Sequence, residues 1–397
     1  MFCTKNIATV LCLSIGIVTA LFLAEQSLLK AEGIKKMNDH HSPTQQPNRP
    51  QTPKPPYPYT EELVSYTNPA TQLTLSGTLT LPNSQKPSPA VILIAGMGPQ
   101  NRDYTMLGHQ LFLVVADYLT RHGIAVLRFD KRGVGQSAGQ FDMTLTSEDF
   151  AGDVLAGVTY LRTRKEINPL QIGLLGHSEG GLIAPMVAAQ TKNVDFVLLM
   201  AGVAATSTDA VIEQVALQLQ ADGAASETIA LDSELRRKLL TIVQQETDAV
   251  TAEKLSRAAF TSYWERLSEA QRVAAGQLLF AIHEQNIGGM LAMFNSPWYR
   301  YFLAYDPTLA LKKLTSPVLA INGDLDFITA SNVTLPIIEQ ALKGAGNRNY
   351  TVRALPHLNH WLQTCKTGSI SEYGALEETI SPQALQIMTE WILAQTK

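Results

Sequence analysis

The residues best suited to chemistry in this chain are Gly176-His177-Ser178-Glu179-Gly180, a G-x-S-x-G pentapeptide. It lies between an apolar run, Ile172-Gly173-Leu174-Leu175, and a helix-like run that continues through Gly181-Leu182-Ile183-Ala184. A serine on a sharp strand-to-helix turn holds its hydroxyl above the sheet, with backbone amides turned toward the same point. Gly176 and Gly180 suit such a turn, because a side chain at either would collide with the neighbouring strand or helix. The hydroxyl is a weak nucleophile on its own. It needs a base within hydrogen-bond reach, an acid that fixes the tautomer of that base, and N–H donors for the oxyanion that develops on the substrate.

For a nucleophile of this type the partners follow in the order serine, acid, histidine. Of the eight histidines, His40, His41, His109, His122 and His177 come too early, and His283 falls in a helical stretch. His357 and His360 remain, both in Leu355-Pro356-His357-Leu358-Asn359-His360-Trp361. A base has to sit on a loop beyond a strand end, which favours His360 over His357. The acid is sought after the preceding strand, where Ile321-Asn322-Gly323-Asp324-Leu325-Asp326 offers two carboxylates. Asp326 stands where a turn can aim it at the base, and Asp324 reads as closing that turn on nearby amides. One oxyanion donor is expected from the residue after the nucleophile, the N–H of Glu179. The other is expected from Ala95-Gly96-Met97-Gly98, with Met97 N–H preferred and Gly98 as the alternative. The Glu179 carboxylate would oppose an oxyanion unless it points away or is neutral.

Positioning these groups requires a sheet. Leu63–Tyr66 and Leu73–Leu79 read as an antiparallel pair across Asn68-Pro69. The pattern then changes to apolar runs, Ala90–Gly96, Ile124–Phe129, Ile172–Leu175 and Asp195–Met200, alternating with helix-like segments at 109–122, 147–164 and 180–190. Such alternation predicts a parallel sheet covered on both faces. Thr146 and Asp149 are spaced as a variant capping box. From Val203 to about Leu314 the alternation stops. The leucines at 231, 235 and 239 there recur on one helix face, and clusters such as Thr241-Ile242-Val243 read as interruptions. The sheet pattern resumes at Pro317–Ile321 and ends with Tyr350–Leu355, followed by a helix from Ser381-Pro382.

The expected organisation is an N-terminal signal peptide or membrane anchor (1–36), a Pro-rich linker (37–60), a core (61–202 and 315–397) and a helical cap inserted at 203–314. Residues Ile7–Ala24 are apolar almost throughout and follow Lys5, the order of an export signal or a single bilayer-spanning anchor. Localisation outside the cytoplasm, secreted or periplasmic, or anchored at a membrane, follows as an expectation. The chain has 397 residues, 45% hydrophobic and 17% charged, so it can bury a large core. Its formal charge of −4 provides no basic face for nucleic acid, and no cysteine–histidine cluster has metal spacing. Three cysteines make no disulfide framework. Composition does not bear on oligomeric state.

Taken together, five segments resemble the α/β-hydrolase superfamily, in its serine esterase and serine aminopeptidase-like branch. They are Gly98-Pro99-Gln100-Asn101-Arg102-Asp103, Phe129-Asp130-Lys131-Arg132-Gly133-Val134-Gly135-Gln136-Ser137, the Ser178 turn, Gly323–Asp326 and Leu358-Asn359-His360. The resemblance implies an α/β fold with a mostly parallel central sheet, helices on both faces and a helical cap insertion. It also implies hydrolysis of a small or medium carboxylic ester through an acyl-enzyme, with no metal or organic cofactor. Asp130, Arg132 and Ser137 would then be structural, and cap aromatics, Trp298, Tyr299 and Phe302 among them, would wall the pocket. Asn101 departs from the family's usual aspartate, His357 stands where glycine is common, and a lipase-type His-Gly-Gly-Gly is absent. A peptidase releasing N-terminal residues, an acyl thioesterase and an inactive membrane-anchored binding module are the competing readings. The first of these needs an acidic group to hold a free amine.

Overall fold

The computed structural model describes residues 47–276 and 287–397. The apolar N-terminal segment, the Pro-rich stretch as far as residue 46, and His283 lie outside the described residues. Among those described, no helix is long and apolar enough to cross a membrane.

The first strands among the described residues are Tyr59–Thr67 (β1) and Thr74–Pro82 (β2), antiparallel in register from Tyr59–Pro82 to Thr67–Thr74. Ser88–Ile94 (β3) follows, then a short hairpin of Thr105–Met106 (β4) and His109–Gln110 (β5). Next come Leu111–Arg121 (α1), Ala125–Phe129 (β6), Ser147–Arg162 (α2), Ile167–His177 (β7), Gly180–Ala188 (α3) and Phe196–Met200 (β8). Among the described residues five helices follow: Thr208–Ala221 (α4), Ser226–Gln245 (α5), Ala249–Arg266 (α6), Glu269–Gly276 (α7) and Ile287–Asn295 (α8). Pro297–Ala304 (α9) and Thr308–Leu311 (α10) lead to Val318–Gly323 (β9), Ser331–Gly344 (α11), Tyr350–Leu355 (β10), Ile370–Tyr373 (α12) and Pro382–Gln395 (α13).

Among the described residues eight strands form one sheet in the order β1-β2-β6-β3-β7-β8-β9-β10. Only β1–β2 and β2–β6 are antiparallel; every later pairing is parallel. This is the mostly parallel α/β sheet that the alternation and the resemblance imply. Successive strand residues point to opposite faces, and here both faces are covered. Ala90, Ile92 and Ile94 join one apolar cluster with Leu127, Leu174, Leu199 and residues of α2, α3 and α11. Val91 and Leu93, pointing the other way, are equally buried. On that second face Phe196 packs edge-on against Trp391 of α13, at 6.1 Å between ring centroids. The α2 N-terminus carries the expected box: the Thr146 N–H and hydroxyl both donate to Asp149 Oδ2, at 2.8 and 3.0 Å.

The described residues divide into two compact units. One contains Arg49–Ser207, Pro297–Gly368 and Glu372–Lys397; the other contains Thr208–Ser296 with Ser369–Ser371. Residues 203–207 and 297–314, which the sequence pattern assigns to the insertion, therefore lie in the sheet unit, with Trp298, Tyr299 and Phe302 among them. In the helical unit Leu231, Leu235 and Leu239 are buried along one face of α5, and Tyr263 of α6 donates its hydroxyl to Leu231 O at 2.8 Å. Thr241–Val243 do not interrupt this helix but lie within it. Neighbouring leucines and the packed face outweigh the small helix penalty of β-branching.

The Pro-rich stretch is not a free spacer throughout. The Arg49 guanidinium donates to the carbonyls of Leu107, Gly108, Gly374 and Leu376. Gln51 donates to Ile380 O at 2.7 Å and accepts from the amides of Thr379 and Ile380. Proline content predicts extended backbone but is silent about side chains that reach unpaired carbonyls. Arg49→Ala should lower the stability of the protein by about 1–2 kcal/mol, since hydrogen bonds from a charged group carry roughly that much. Urea unfolding midpoints compare the two proteins, and an unshifted midpoint would mean that the strap contributes nothing.

Candidate active site

The turn after β7 places Ser178 in the left-handed region, at φ +55°. A non-glycine residue there costs on the order of 1–3 kcal/mol and persists only when its surroundings enforce it. Three close approaches do so. A Cβ on Gly176 would stand 2.0 Å from Gly180 O, one on Gly180 2.0 Å from Ile94 O, and one on Gly181 2.3 Å from Gly202 Cα. The loop after β3 is equally tight, because a Cβ on Gly96 would lie 3.0 Å from Ser178 Cβ and 2.6 Å from Tyr104 Oη. Residues 95–98 thus pass directly beside the serine. Among the described residues, neither the Met97 nor the Glu179 amide donates to a protein acceptor.

His360 and Asp326 meet at 3.0 Å, Nδ1 to Oδ2, both buried. A carboxylate only accepts, so Nδ1 carries the proton of this bond, which leaves Nε2 as the ring atom facing away from Asp326. Asp326 Oδ1 also takes the amides of Ile328 and Thr329, both at 2.9 Å, and Oδ2 takes the Thr329 hydroxyl at 2.7 Å. Burial pushes the Asp326 carboxyl upward, but the His360 ring and these donors outweigh it and hold the group below the ordinary aspartate range. Asp324 lies apart from this pair: its Oδ1 accepts the His357 N–H at 2.6 Å, closing the turn. His357 itself is exposed with φ +60°, the backbone conformation that favours the glycine common in the resembling family.

His177, beside the serine, ties the two halves of the site together. Its Nε2 faces His360 O at 3.0 Å and its Nδ1 faces the Tyr104 hydroxyl at 3.2 Å. The carbonyl only accepts, so Nε2 bears the proton and Tyr104 donates to Nδ1. Burial, and then the neighbouring His360, hold the His177 imidazole down to about 3. The His360 amide in turn donates to the Tyr373 hydroxyl at 3.1 Å, and His109 Nε2 meets Tyr373 O at 3.0 Å. Burial lowers His109 to about 4. These supports are scattered along the chain, and only their types, not their spacing, were visible in the sequence.

The Glu179 side chain turns into the protein. Oε1 accepts the Ser147 hydroxyl and the Trp298 indole N–H, each at 2.8 Å, and Oε2 pairs with Lys131 Nζ at 3.4 Å. Burial lowers the Lys131 ammonium from its ordinary value, and Glu179 opposes that shift. Trp298 stacks on Phe302 at 5.5 Å and tilts against Tyr299 at 5.6 Å. The loop after β6 is tied by its own side chains. Arg102 and the amides of Arg102 and Gln136 hold Asp130, Arg132 forms a two-point pair with Asp153, and Ser137 donates to Asp130 O. Asn101 does an aspartate's work as an acceptor, with its Oδ1 taking the amides of Asp103 and Thr105.

Comparisons with known proteins agree with this architecture. A family model described as serine aminopeptidase, S33, matches residues 85–271. The esterase EstD of Thermotoga maritima is 34% identical over 167 residues, 41% of this chain and 39% of its own length. The thiohydrolase aneE of Aspergillus aculeatus is 35% identical over 83 residues, 21% of this chain and 26% of its own. The matched region thus spans about two fifths or less of either relative. Among solved structures, the hypothetical protein PA2218 of Pseudomonas aeruginosa superposes with a TM-score of 0.52 at 16% identity, covering 90% of this chain and 100% of that one. That likeness is one of fold.

The two neutral histidines fix a pH dependence of stability. Their folded values, about 3 and about 4, lie below the unfolded value near 6.5, so the unfolded chain binds more protons between those limits. Stability should therefore be full above about pH 6.5 and fall as pH drops toward 4, by up to about 1.4 kcal/mol per pH unit for each histidine. Urea midpoints at pH 7, 6 and 5 measure this, and a flat profile would contradict it.

Proposed function

We infer that this chain, a member of the α/β-hydrolase superfamily, is a serine carboxylesterase that cleaves small or medium carboxylic esters through an acyl-enzyme. The observation that carries the reading is the His360–Asp326 pair at 3.0 Å, on a loop bonded through His177 to the turn that strains Ser178. Ser178 Oγ attacks the ester carbonyl carbon while His360 Nε2 takes its proton. Charge moves onto the carbonyl oxygen, where the amides of Met97 and Glu179 receive it. As the tetrahedral intermediate collapses, the C–O bond to the alcohol breaks and His360 returns the proton to the leaving oxygen. Water, deprotonated by the same nitrogen, then attacks the acyl-enzyme, and the acid leaves with Ser178 restored. Asp326 stays ionised throughout and stabilises the imidazolium that forms.

The ester reading is preferred over the aminopeptidase reading because of Glu179. A free substrate amine needs an available carboxylate, and the one that follows the serine in the chain is already engaged by Ser147, Trp298 and Lys131. The match to an esterase over part of its length points the same way, and the shorter match to a thiohydrolase keeps thioesters as the second substrate class. Trp298, Tyr299 and Phe302 are proposed to line the pocket, with the Trp298 indole fixed by Glu179. The N-terminal apolar segment supports export or a single membrane anchor, so the substrate would be met outside the cytoplasm.

The purified full-length chain, assayed on p-nitrophenyl esters of increasing acyl length beside an acyl thioester and aminoacyl-nitroanilides, tests this. Turnover should be fastest on short or medium esters and should fall on the order of 10⁴-fold or more in Ser178→Ala. Faster turnover of a nitroanilide would move the protein to the peptidases and refute the assignment.

A further inference from the structure

We propose that Lys131 and Glu179 form a positioning pair that aims the Met97 N–H at the oxyanion. The inference rests on the serine-hydrolase reading above and assigns two side chains to its least visible part. Gly96 C=O and Met97 N–H belong to one peptide unit, which is planar and trans, so the two groups point in opposite directions. Whatever holds the carbonyl therefore aims the amide. Lys131 Nζ holds Gly96 O at 2.6 Å, with both groups buried. The rest of the loop is held at other points: Gly96 packs against Tyr104 and Ser178, and Gln100 Nε2 donates to Met97 O at 3.0 Å. Lys131 is the side chain that engages the carbonyl of the Gly96–Met97 peptide itself.

The lysine is itself fixed by the residue that supplies the other donor. Its Nζ pairs with Glu179 Oε2 at 3.4 Å and lies 4.4 Å from the centre of the Phe150 ring. Glu179 Oε1 is anchored by Ser147 from α2 and by Trp298 from α9. One buried ion pair thus links the residues behind both oxyanion donors and sets one relative to the other. It also resolves the charge conflict at the site. An unpaired carboxylate beside a developing oxyanion would oppose reaction, and the ammonium cancels it. Neither side chain touches substrate in this account, so their effect is on the transition state and not on ground-state binding.

The test uses the full chain, with two readouts: hydrolysis of its best p-nitrophenyl ester and the rate at which an alkyl fluorophosphonate labels Ser178. Lys131→Met should lower kcat and the labelling rate about ten- to a hundredfold, somewhat less than outright loss of an oxyanion donor, with KM within about threefold. Because that variant leaves a buried carboxylate unpaired and can fail to fold, Lys131→Met/Glu179→Gln is measured beside it. The neutral pair removes the charge penalty but still frees Gly96 O, so its kcat and labelling should fall while KM holds. A double variant that reacts at the wild-type rate would overturn the proposal, as would a rise in KM with kcat unchanged. Labelling of wild-type Ser178 without ester turnover would refute the esterase reading alone, since the variants' labelling rates still decide the role of Lys131. A wild-type chain that labels nowhere would overturn both.

Discussion

Everything at the site depends on the left-handed turn at Ser178. That backbone conformation is unfavourable for serine, and it is held by contacts so close that no side chain fits: Gly176 against Gly180, Gly180 against Ile94, Gly181 against Gly202. Each contact joins a different pair of elements. The end of β7 meets the start of α3, α3 meets the end of β3, and α3 again meets the segment after β8. Ser178, the proposed nucleophile, is therefore located by the packing of the central strands themselves, and the loop after β3, proposed to receive the oxyanion, is brought beside it by the same packing. A similar contact holds the loop that carries His360, because a Cβ on Gly323 at the end of β9 would stand 1.9 Å from Leu358 O.

Around this turn the protein buries several charged side chains and pairs them locally. Asp130 is held by Arg102, Asp153 by Arg132, Glu179 by Lys131, and Asp326 by His360 with two backbone amides. Removing one member of such a pair leaves an uncompensated charge and commonly costs about 3–5 kcal/mol, whereas the pair as a whole adds little net stability. What the pairs provide is orientation. Each fixes a loop at the C-terminal ends of the strands, where open parallel sheets place their sites.

The fold was largely legible in the sequence, because strands buried on both faces read as continuous apolar runs and the turns between them carry glycine. β3, β6, β7, β8 and β9 all lie within a few residues of such runs. Chain order narrows the acid to Asp324 or Asp326 and the base to His357 or His360, position beyond the strand end favours Asp326 and His360, and the structure brings these two to 3.0 Å. Features that depend on a single side chain meeting a distant carbonyl were not legible. Arg49 and Gln51 sit in a stretch whose composition reads as a spacer, and the β4–β5 hairpin is only two residues per strand. Lys131 lies inside a recognisable motif, but its partners, Gly96 and Glu179, are 35 and 48 residues away. The boundary of the helical unit was blurred for a related reason: α9 and α10 are helical like the insertion yet belong to the sheet unit. Helical periodicity does not record which unit a helix packs into.

The proposed mechanism requires Ser178 to carry the acyl group during turnover. The most direct measurement is to quench the wild-type chain in acid during steady-state hydrolysis of a p-nitrophenyl ester and locate added mass by peptide mass spectrometry. A single acyl adduct is expected in the peptide containing Ser178, formed before the acid product is released and absent in Ser178→Ala. Turnover at the full rate with no adduct, or with the adduct on another residue, would contradict it.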